Sequence, residues 1–183
     1  MPQAGRALDL GCGTGTEVMG LLALGFFVDA VDASPLATSH LKSKLEAMFG
    51  NSCNASLFTK RIEDFEIPRG CYECIIASNS LPFIRSKAQV TDVVRRIIAG
   101  LAETGCAYIT VFGPRDGWVG REGLSFWELP EIRQVLESAG GEIYHSAIEE
   151  GFGRTMNGNI KYWNIFKFIY VKKMPAELSA RVA

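Results

Sequence analysis

The hydrophobic positions of this chain follow two alternating periods. Short apolar runs typical of strands are separated by segments in which apolar residues recur every three or four positions, as in helices. The strand pattern covers Arg6 to Leu10, Phe27 to Asp32, Ala55 to Lys60, Tyr72 to Ser78, Ala107 to Phe112, Glu142 to Ile148 and Asn164 to Val171. The helical pattern covers Glu17 to Leu24, Pro35 to Met48, Lys87 to Glu103 and Leu129 to Ala139. This alternation predicts βαβ units and a mostly parallel, seven-stranded sheet.

The last two predicted strands break the alternation. Residues 149–159 between them are polar and glycine-rich, and they carry no helical pattern, so we expect an antiparallel hairpin with a long loop. Four glycines follow the ends of the predicted helices, where a left-handed residue is favoured: Gly25, Gly50, Gly105 and Gly140. The sequence therefore predicts an α/β fold, a doubly wound sheet with an antiparallel C-terminal hairpin, and a length of 183 residues favours one domain over residues 1–183.

Composition narrows the classes of function. The chain has 19 Lys and Arg against 20 Asp and Glu, and this balance does not favour a nucleic-acid partner. No apolar run approaches the roughly 20 residues that span a bilayer, and we recognise no signal peptide, so we expect no membrane partner and a soluble, cytoplasmic protein. Five cysteines, an odd number in a chain of this size, favour reduced thiols without a disulfide framework.

Two features that could indicate metal binding or catalysis are interpreted as ordinary structural positions. Cys71 and Cys74 have the spacing of a zinc or thiol-exchange motif, but strand positions three apart point to opposite faces, and no second pair completes a metal site. His40 and His145 are isolated in a helical and a strand pattern, which indicates surface or core positions. We assign no metal and no catalytic histidine.

The segment from Ala7 to Gly15 carries the strongest functional signal. An apolar strand ends there in a glycine-rich turn that opens a helix, an arrangement that brings backbone N–H groups close to a ligand. A dinucleotide-binding fingerprint would need glycine where Thr16 stands. The carboxylate of Asp9, just before the turn, would repel a pyrophosphate and attract an ammonium group. The turn therefore favours a ligand with a positively charged amino acid end over NAD.

Asp32 lies near the end of the second predicted strand, where an acidic residue accepts hydrogen bonds from both ribose hydroxyls. With Asp9 and the glycine turn at the end of the first strand and Asp32 on the second, the chain resembles the class I S-adenosylmethionine-dependent methyltransferases. It is more closely similar to the small tellurite-resistance-like members. The resemblance covers nearly the whole chain. It implies a Rossmann-like fold, S-adenosylmethionine as methyl donor and S-adenosylhomocysteine as product. It also implies that Asp9 faces the cofactor's amino group, that Asp32 and Ala33 hold the ribose, and that Gly11, Cys12 and Gly13 line the methionine end, with Gly15 as a further cofactor-binding residue of the turn.

The resemblance extends to three later segments. Glu63, Asp64 and Phe65 match the family's adenine-binding segment, in which Asp64 would accept from the exocyclic amine. Ser78 would join the cofactor site, and Asn79 and Ser80 would orient the acceptor, although the same residues also suit a turn and a helix cap. The candidate walls of an acceptor pocket are Phe83, Phe112, Trp118, Tyr162 and Trp163, with core packing as the alternative for the two tryptophans.

One departure from the family concerns the N-terminus. Relatives usually carry a lid helix before the first strand, whereas here that strand begins within six residues of Met1. We therefore expect an open site, a truncated form, or a site covered by a protein partner or a second copy in a homodimer.

The expected function is methyl transfer by in-line displacement to an acceptor, for which we favour a small molecule. The alternative is a non-catalytic partner or regulatory subunit that still binds the cofactor. An NAD-dependent oxidoreductase is disfavoured by Thr16 and Asp9. The sequence names neither the acceptor atom nor a general base.

Overall fold

Seven strands in one sheet and four α-helices make up residues 5–172, the part of the chain that the computed structural model describes. The elements in chain order are β1 (Arg6–Leu10), α1 (Thr16–Ala23), β2 (Phe27–Asp32), α2 (Pro35–Phe49), β3 (Ala55–Thr59), β4 (Tyr72–Ala77), α3 (Lys87–Gly100), β5 (Leu101–Phe112), α4 (Leu129–Glu137), β6 (Gly141–Arg154) and β7 (Ile160–Lys172). The predicted fold class, an α/β sheet with a C-terminal antiparallel hairpin, is confirmed.

The strand order places a binding crevice at one end of the sheet. The order is β3-β2-β1-β4-β5-β7-β6, in which β1 to β5 run parallel and β7 runs antiparallel to both β5 and β6. The chain winds outwards from β1 to β3 and then crosses to β4 on the other side of β1. In open α/β sheets, ligands bind outside the carboxyl ends of the strands at such a reversal. The loops that follow β1 and β4 therefore meet at the expected site.

Helices cover both faces of the sheet and bury its core. The helical stripe predicted for α3 is buried, with Val90, Val93, Val94 and Ile97 at 0% exposure. It packs on the same face as residues of α4, while α1 and α2 cover the opposite face through Val18, Leu21, Leu41 and Leu45. Ser34 caps α2, since its hydroxyl accepts from the Ala37 amide at 3.2 Å. No helix among the described residues is long and apolar enough to span a bilayer.

The hairpin loop predicted over residues 149–159 is much shorter in the structure. Strand β6 continues to Arg154 and β7 begins at Ile160, so only residues 155–159 form the turn. Two of the glycines that suggested a loop, Gly151 and Gly153, instead lie within β6. A Cβ on Gly153 would lie 2.9 Å from the Trp163 ring, so glycine lets this ring lie against the neighbouring strand.

The predicted boundary between α3 and β5 was also wrong. The helix ends at Gly100 rather than Glu103, and β5 begins at Leu101. Pairing with β4 shifts register after Tyr72, which leaves residues 102–105 as an irregular segment of β5. Gly105 therefore lies in a strand and is not a helix-end residue, whereas the other three predicted glycines have positive φ: Gly25, Gly50 and Gly140.

The cysteine pair that faces across strands is not the one with the C-x-x-C spacing. Cys71 precedes β4, while Cys74 on β4 lies directly opposite Cys106 on β5. All five cysteines lie within the described residues and are free thiols. His40 and His145 are both exposed.

Candidate active site at the carboxyl ends of the strands

The turn between β1 and α1 depends on glycine in two different ways. Gly11 and Gly13 have φ angles of +85° and +50°, a left-handed conformation that other residues rarely adopt. A Cβ on Gly11 would also lie 2.3 Å from the Ser80 Cβ, so the turn touches the segment after β4. A Cβ on Gly13 would meet nothing within 4 Å. Gly13 therefore borders open space in which a ligand can approach the backbone.

Asp32, at the end of β2, holds this turn in place. Its Oδ2 accepts a hydrogen bond from the Gly13 amide at 2.8 Å, and its Oδ1 accepts from the Ser34 amide at 2.8 Å. The amides of Gly11 and Cys12 donate to the Val31 carbonyl at 2.7 and 3.0 Å. Each carboxylate oxygen keeps a further lone pair, so Asp32 can still accept hydrogen bonds from ligand hydroxyls.

Two buried oxygens beside the turn have no hydrogen-bond partner among residues 5–172. They are Oδ2 of Asp9, which is 1% exposed, and Oγ of Ser80, which is 7% exposed. Burial, reinforced by the charges of Glu17 and Asp32, raises the pKa of Asp9 to about 7. A buried polar group without a partner costs about 1–3 kcal/mol. The site is thus suited to a ligand group that donates hydrogen bonds and carries positive charge.

A cavity of about 340 Å³, here called the carboxyl-end cavity, opens beside these groups. It is lined by Gly11, Gly13, Asp32, Ala33, Arg61, Ile62, Glu63, Asn79, Ser80, Phe83, Ile84 and Met156. Its size falls within the range of small-ligand sites. Of the remaining predicted turn residues, Cys12 is buried, and Gly15 lies against α2, where a Cβ would be 2.3 Å from Leu41 Cδ1.

The predicted adenine-binding triplet is divided by the structure. Glu63 lines the carboxyl-end cavity and pairs with Arg61 at 2.7 Å. Phe65 is buried against Phe58, with ring centroids 5.1 Å apart, and Asp64 is exposed and does not line the cavity. The guanidinium of Arg96 on α3 fixes this segment by donating to the carbonyls of Glu63 and Phe65 at 3.0 and 2.7 Å.

Asn79 lies where two cavities meet. It is the one non-glycine residue in the described part of the chain with positive φ, at +52°, and its amide donates to Thr110 Oγ1 at 2.7 Å. A second cavity of about 380 Å³, here called the hairpin cleft, is lined by Asn79, Glu149, Glu150, Gly151, Phe152, Gly153, Arg154, Trp163 and Ile165. Ser78, which precedes Asn79, lines neither cavity. Strained backbone is concentrated at functional sites.

Four of the five predicted acceptor-pocket residues form one aromatic cluster. Phe83 packs edge-on against Phe112 and Trp118 at 6.2 Å in each case, and Trp163 lies 5.9 Å from Phe112 and 5.7 Å from Trp118. The cluster links the two cavities, since Phe83 lines the carboxyl-end cavity and Trp163 lines the hairpin cleft. Tyr162 instead lines a separate cavity of about 250 Å³.

A buried lysine inside this cluster was missed by the sequence analysis. The side chain of Lys161 is 5% exposed, and its Nζ lies 3.8, 3.9 and 4.4 Å from the ring centroids of Trp118, Trp163 and Phe112. It pairs with Asp116, whose side chain is 0% exposed. Burial lowers the pKa of Lys161, and Asp116 opposes that shift. The pair connects the loop after β5 to β7.

Four further residues that line the carboxyl-end cavity were also missed: Arg61, Ile62, Ile84 and Met156. The position of Arg61 and Ile62 directly after β3 could have indicated them, because that places them at the same end of the sheet as the glycine turn. Ile84 follows the segment already singled out after β4. Met156 lies in the turn of the hairpin, and no local sequence signal points to it.

Comparison with known protein families identifies a family for this chain. The sequence profile of a methyltransferase-domain family matches residues 7–105, from β1 to the first part of β5. No curated protein sequence matches the chain significantly. The matched segment contains Asp9, Asp32 and Asn79.

Solved structures of methyltransferases superpose on nearly the whole chain. A methyltransferase from Methanosarcina mazei has a TM-score of 0.76 at 15% identity, over 96% of this chain and 95% of its own. TehB from Haemophilus influenzae has a TM-score of 0.77 at 19% identity, over 94% of this chain and 59% of its own. The 1,6-didemethyltoxoflavin-N1-methyltransferase of Burkholderia thailandensis has a TM-score of 0.65 at 16% identity, over 93% and 72%. These likenesses establish the fold, and with the family match the chain belongs to the methyltransferase-domain family, as a class I S-adenosylmethionine-dependent methyltransferase.

Proposed function

We propose that this enzyme binds S-adenosylmethionine in the carboxyl-end cavity and transfers its methyl group to a small molecule held in the hairpin cleft. The observation that carries this proposal is the position of Asn79, which lines both cavities. Two ligands that react directly must meet at a shared boundary, and Asn79 marks that boundary. The left-handed backbone of Asn79 suits a residue held in place for function.

The groups around the glycine turn fit the cofactor. The unpartnered oxygens of Asp9 and Ser80 would accept hydrogen bonds from its ammonium group, which relieves the cost of leaving them unpaired. Asp32 would accept from the ribose hydroxyls while it keeps its bonds to the turn. Of the predicted adenine-binding residues, Glu63 is the one that lines the cavity.

For methyl transfer, the main contribution required of the protein is to orient the acceptor relative to the methyl group. S-adenosylmethionine supplies a methyl group on a sulfonium, and the acceptor atom forms a bond to that carbon as the carbon–sulfur bond breaks, with the electron pair going to sulfur. Asn79 and Ser80 would orient the acceptor for in-line approach. The aromatic cluster of Phe83, Phe112, Trp118 and Trp163 would exclude water from the boundary between the cavities.

The hairpin cleft supports a flat acceptor that carries no positive charge. Gly151 and Gly153 contribute no side chains, so Trp163 and the exposed ring of Phe152 offer flat apolar surfaces. The two carboxylates of the cleft are already paired: Glu149 with Lys167, and Glu150 with Arg115 at 2.5 Å. The net charge of −1 also supports a small molecule over nucleic acid.

We also propose that the protein is cytoplasmic, and its free thiols support this location. All five cysteines are free, and disulfides are rare where the compartment keeps thiols reduced. We likewise propose that residues 1–183 act as a single methyltransferase domain.

Isothermal titration with S-adenosylmethionine and S-adenosylhomocysteine tests the cofactor site. We expect both to bind, and Asp32→Ala to weaken binding by about 1–3 kcal/mol because hydrogen bonds to a charged group are lost. Glu46→Ala, on the exposed surface of α2, is the matched control and should leave affinity unchanged. Absence of binding, or equal affinity of Asp32→Ala, would contradict the assignment.

A panel of flat aromatic small molecules tests the acceptor site, with release of S-adenosylhomocysteine as the measurement. Asn79→Ala should lower turnover more than it lowers cofactor affinity, because the residue contributes to orientation. If the protein binds cofactor, copurifies with a fixed partner and turns over no acceptor, the alternative of a non-catalytic subunit would be favoured.

A further inference from the structure

The β6–β7 hairpin extends beyond the rest of the sheet. Pairing between β5 and β7 ends at Phe112 with Ile165, whereas β6 and β7 remain paired from Glu150 with Asn164 to Arg154 with Ile160. Residues 150–164 therefore form a two-stranded arm, and no third strand among residues 5–172 pairs with it. The arm projects beyond the carboxyl end of β5, which is the end of the sheet where the candidate active site lies.

Hydrogen bonds hold the base of the arm and order its tip. The Gly117 amide donates to the Tyr162 carbonyl at 2.8 Å, and the Asn164 side chain donates to Glu150 Oε1 at 2.6 Å. At the tip, the Thr155 amide donates to the Asn159 carbonyl at 2.8 Å. The buried Lys161–Asp116 pair fixes the same base. The position of the tip is thus set by the fold.

Met156, at the tip, lines the carboxyl-end cavity although it is 94% exposed. Every other residue that lines this cavity lies at the end of, or follows, one of the strands β1 to β4, so the arm contributes a separate wall. Methionine is flexible and polarizable, and it makes favourable contacts with aromatic rings. An exposed apolar side chain at the mouth of a ligand cavity can bury its surface against a bound ligand.

We propose that Met156 contacts the bound cofactor and that the tip of the arm covers it. This inference rests on the proposed binding of S-adenosylmethionine in the carboxyl-end cavity. Binding buries the Met156 side chain, and the removal of its apolar surface from water adds to affinity. The tip of the arm therefore forms part of the cover over the carboxyl-end cavity.

Oxidation by hydrogen peroxide measures this contact directly, since it converts an accessible thioether to the sulfoxide. The protein is treated with and without saturating S-adenosylhomocysteine, and sulfoxide formation is followed by peptide mass spectrometry. Ligand should slow oxidation of Met156 by about threefold or more. Met48, which is 59% exposed on α2, serves as the internal control and should oxidise at the same rate in both samples.

The outcomes distinguish failure of the Met156 contact from failure of the proposed cofactor site. If calorimetry shows S-adenosylhomocysteine binding and Met156 oxidises at an unchanged rate, the cover is wrong while the proposed function stands. If calorimetry shows no binding, the proposed function fails first and the cover fails with it.

Affinity variants provide a second measurement. Met156→Ala should weaken S-adenosylhomocysteine binding about three- to tenfold without changing the melting temperature of the free protein, because the side chain is exposed there. Met156→Leu should keep most of the affinity, and Met48→Ala should keep all of it. Wild-type affinity in Met156→Ala would overturn the contact.

Discussion

At the scale of single residues, Asp9 shows a conflict between stability and binding. Its pKa is raised from 3.8 to about 7 because the carboxylate is buried near Glu17 and Asp32. The folded state therefore favours the neutral form, and the stability that Asp9 contributes below pH 3.8 is lost as the pH rises through about 7. A charged, unpaired Asp9 at pH 8 is consistent with the role proposed for it, which is to accept hydrogen bonds from the ammonium group of the cofactor.

Asp9→Asn is accordingly expected to stabilise the free protein and to impair cofactor binding. The gain in unfolding free energy should grow from pH 5 to pH 8 and reach about 1–3 kcal/mol, because asparagine stays neutral over this range. Urea denaturation at both pH values measures the gain, and calorimetry measures the loss of S-adenosylhomocysteine affinity. A gain independent of pH would show that ionisation of Asp9 is not its cause.

Gly13 and Gly25 form a second test at this scale. Both have positive φ, +50° and +88°, and neither would bring a Cβ within 4 Å of another atom. Gly13→Ala and Gly25→Ala should each cost about 1–2 kcal/mol of stability, since both force alanine into the left-handed region. Only Gly13→Ala places a methyl group in the carboxyl-end cavity, so only this variant should lose cofactor affinity in calorimetry. Equal affinities would mean that the ligand does not approach the turn.

At the scale of elements, the buried Lys161–Asp116 pair joins the loop after β5 to β7. Lys161→Met should cost about 3–5 kcal/mol in urea denaturation, because it leaves the charge of Asp116 buried without its partner. The double variant Lys161→Met/Asp116→Asn should recover part of that loss. The surface pair of Lys87 and Glu131 is the control, and Lys87→Met should change stability by less than about 1 kcal/mol. A cost for Lys161→Met as small as that of Lys87→Met would contradict this role.

The elements also show what the sequence can and cannot predict. The stripe of α3 and the strand before Gly11 were predictable because each is set by a local apolar period. The arm was not, because Gly151 and Gly153 are typical of loops, and only the position of Trp163 on the neighbouring strand explains why glycine is needed at residue 153.

The same limit applies to single side chains of the site. A lysine is expected at the surface, so the burial of Lys161 becomes visible only when three aromatic rings from β5, β7 and the loop between β5 and α4 meet around it. Conversely, Phe65 was expected beside a ligand because its segment resembles the adenine-binding segment of the family, but its ring packs into the core.

At the scale of the whole molecule, cavities occur at both ends of the sheet. One of about 420 Å³ lies at the amino ends of β1, β2 and β3, and it is lined by Arg6, Phe27, Val28, Asp29, Cys53, Asn54, Ala55 and Ser56. Ligands of open α/β sheets bind at the opposite, carboxyl end. Volume alone therefore does not identify the site.

Hydrogen exchange with and without S-adenosylhomocysteine should distinguish the two ends. We expect slower exchange in residues 11–15, 32–34, 61–65, 78–84 and 154–160, all of which adjoin the carboxyl-end cavity, because bound ligand suppresses local opening. Peptides covering residues 53–56 at the other end should be unaffected and serve as the control. Protection confined to the amino end would relocate the ligand.

The position of β7 also affects how the sheet is assembled during synthesis. Among the strands that the structure describes, β6 pairs with β7 alone, and β7 must dock on β5 before either joins the sheet. During synthesis, β6 is therefore made before β7, the strand with which it pairs. Until β7 is made, the backbone N–H and C=O groups on both edges of β6 have no partner strand. Such edges invite pairing with other chains, and charges oppose it. Glu142, Glu149, Glu150 and Arg154 on β6 thus give the nascent protein protection from aggregation until its last strand arrives.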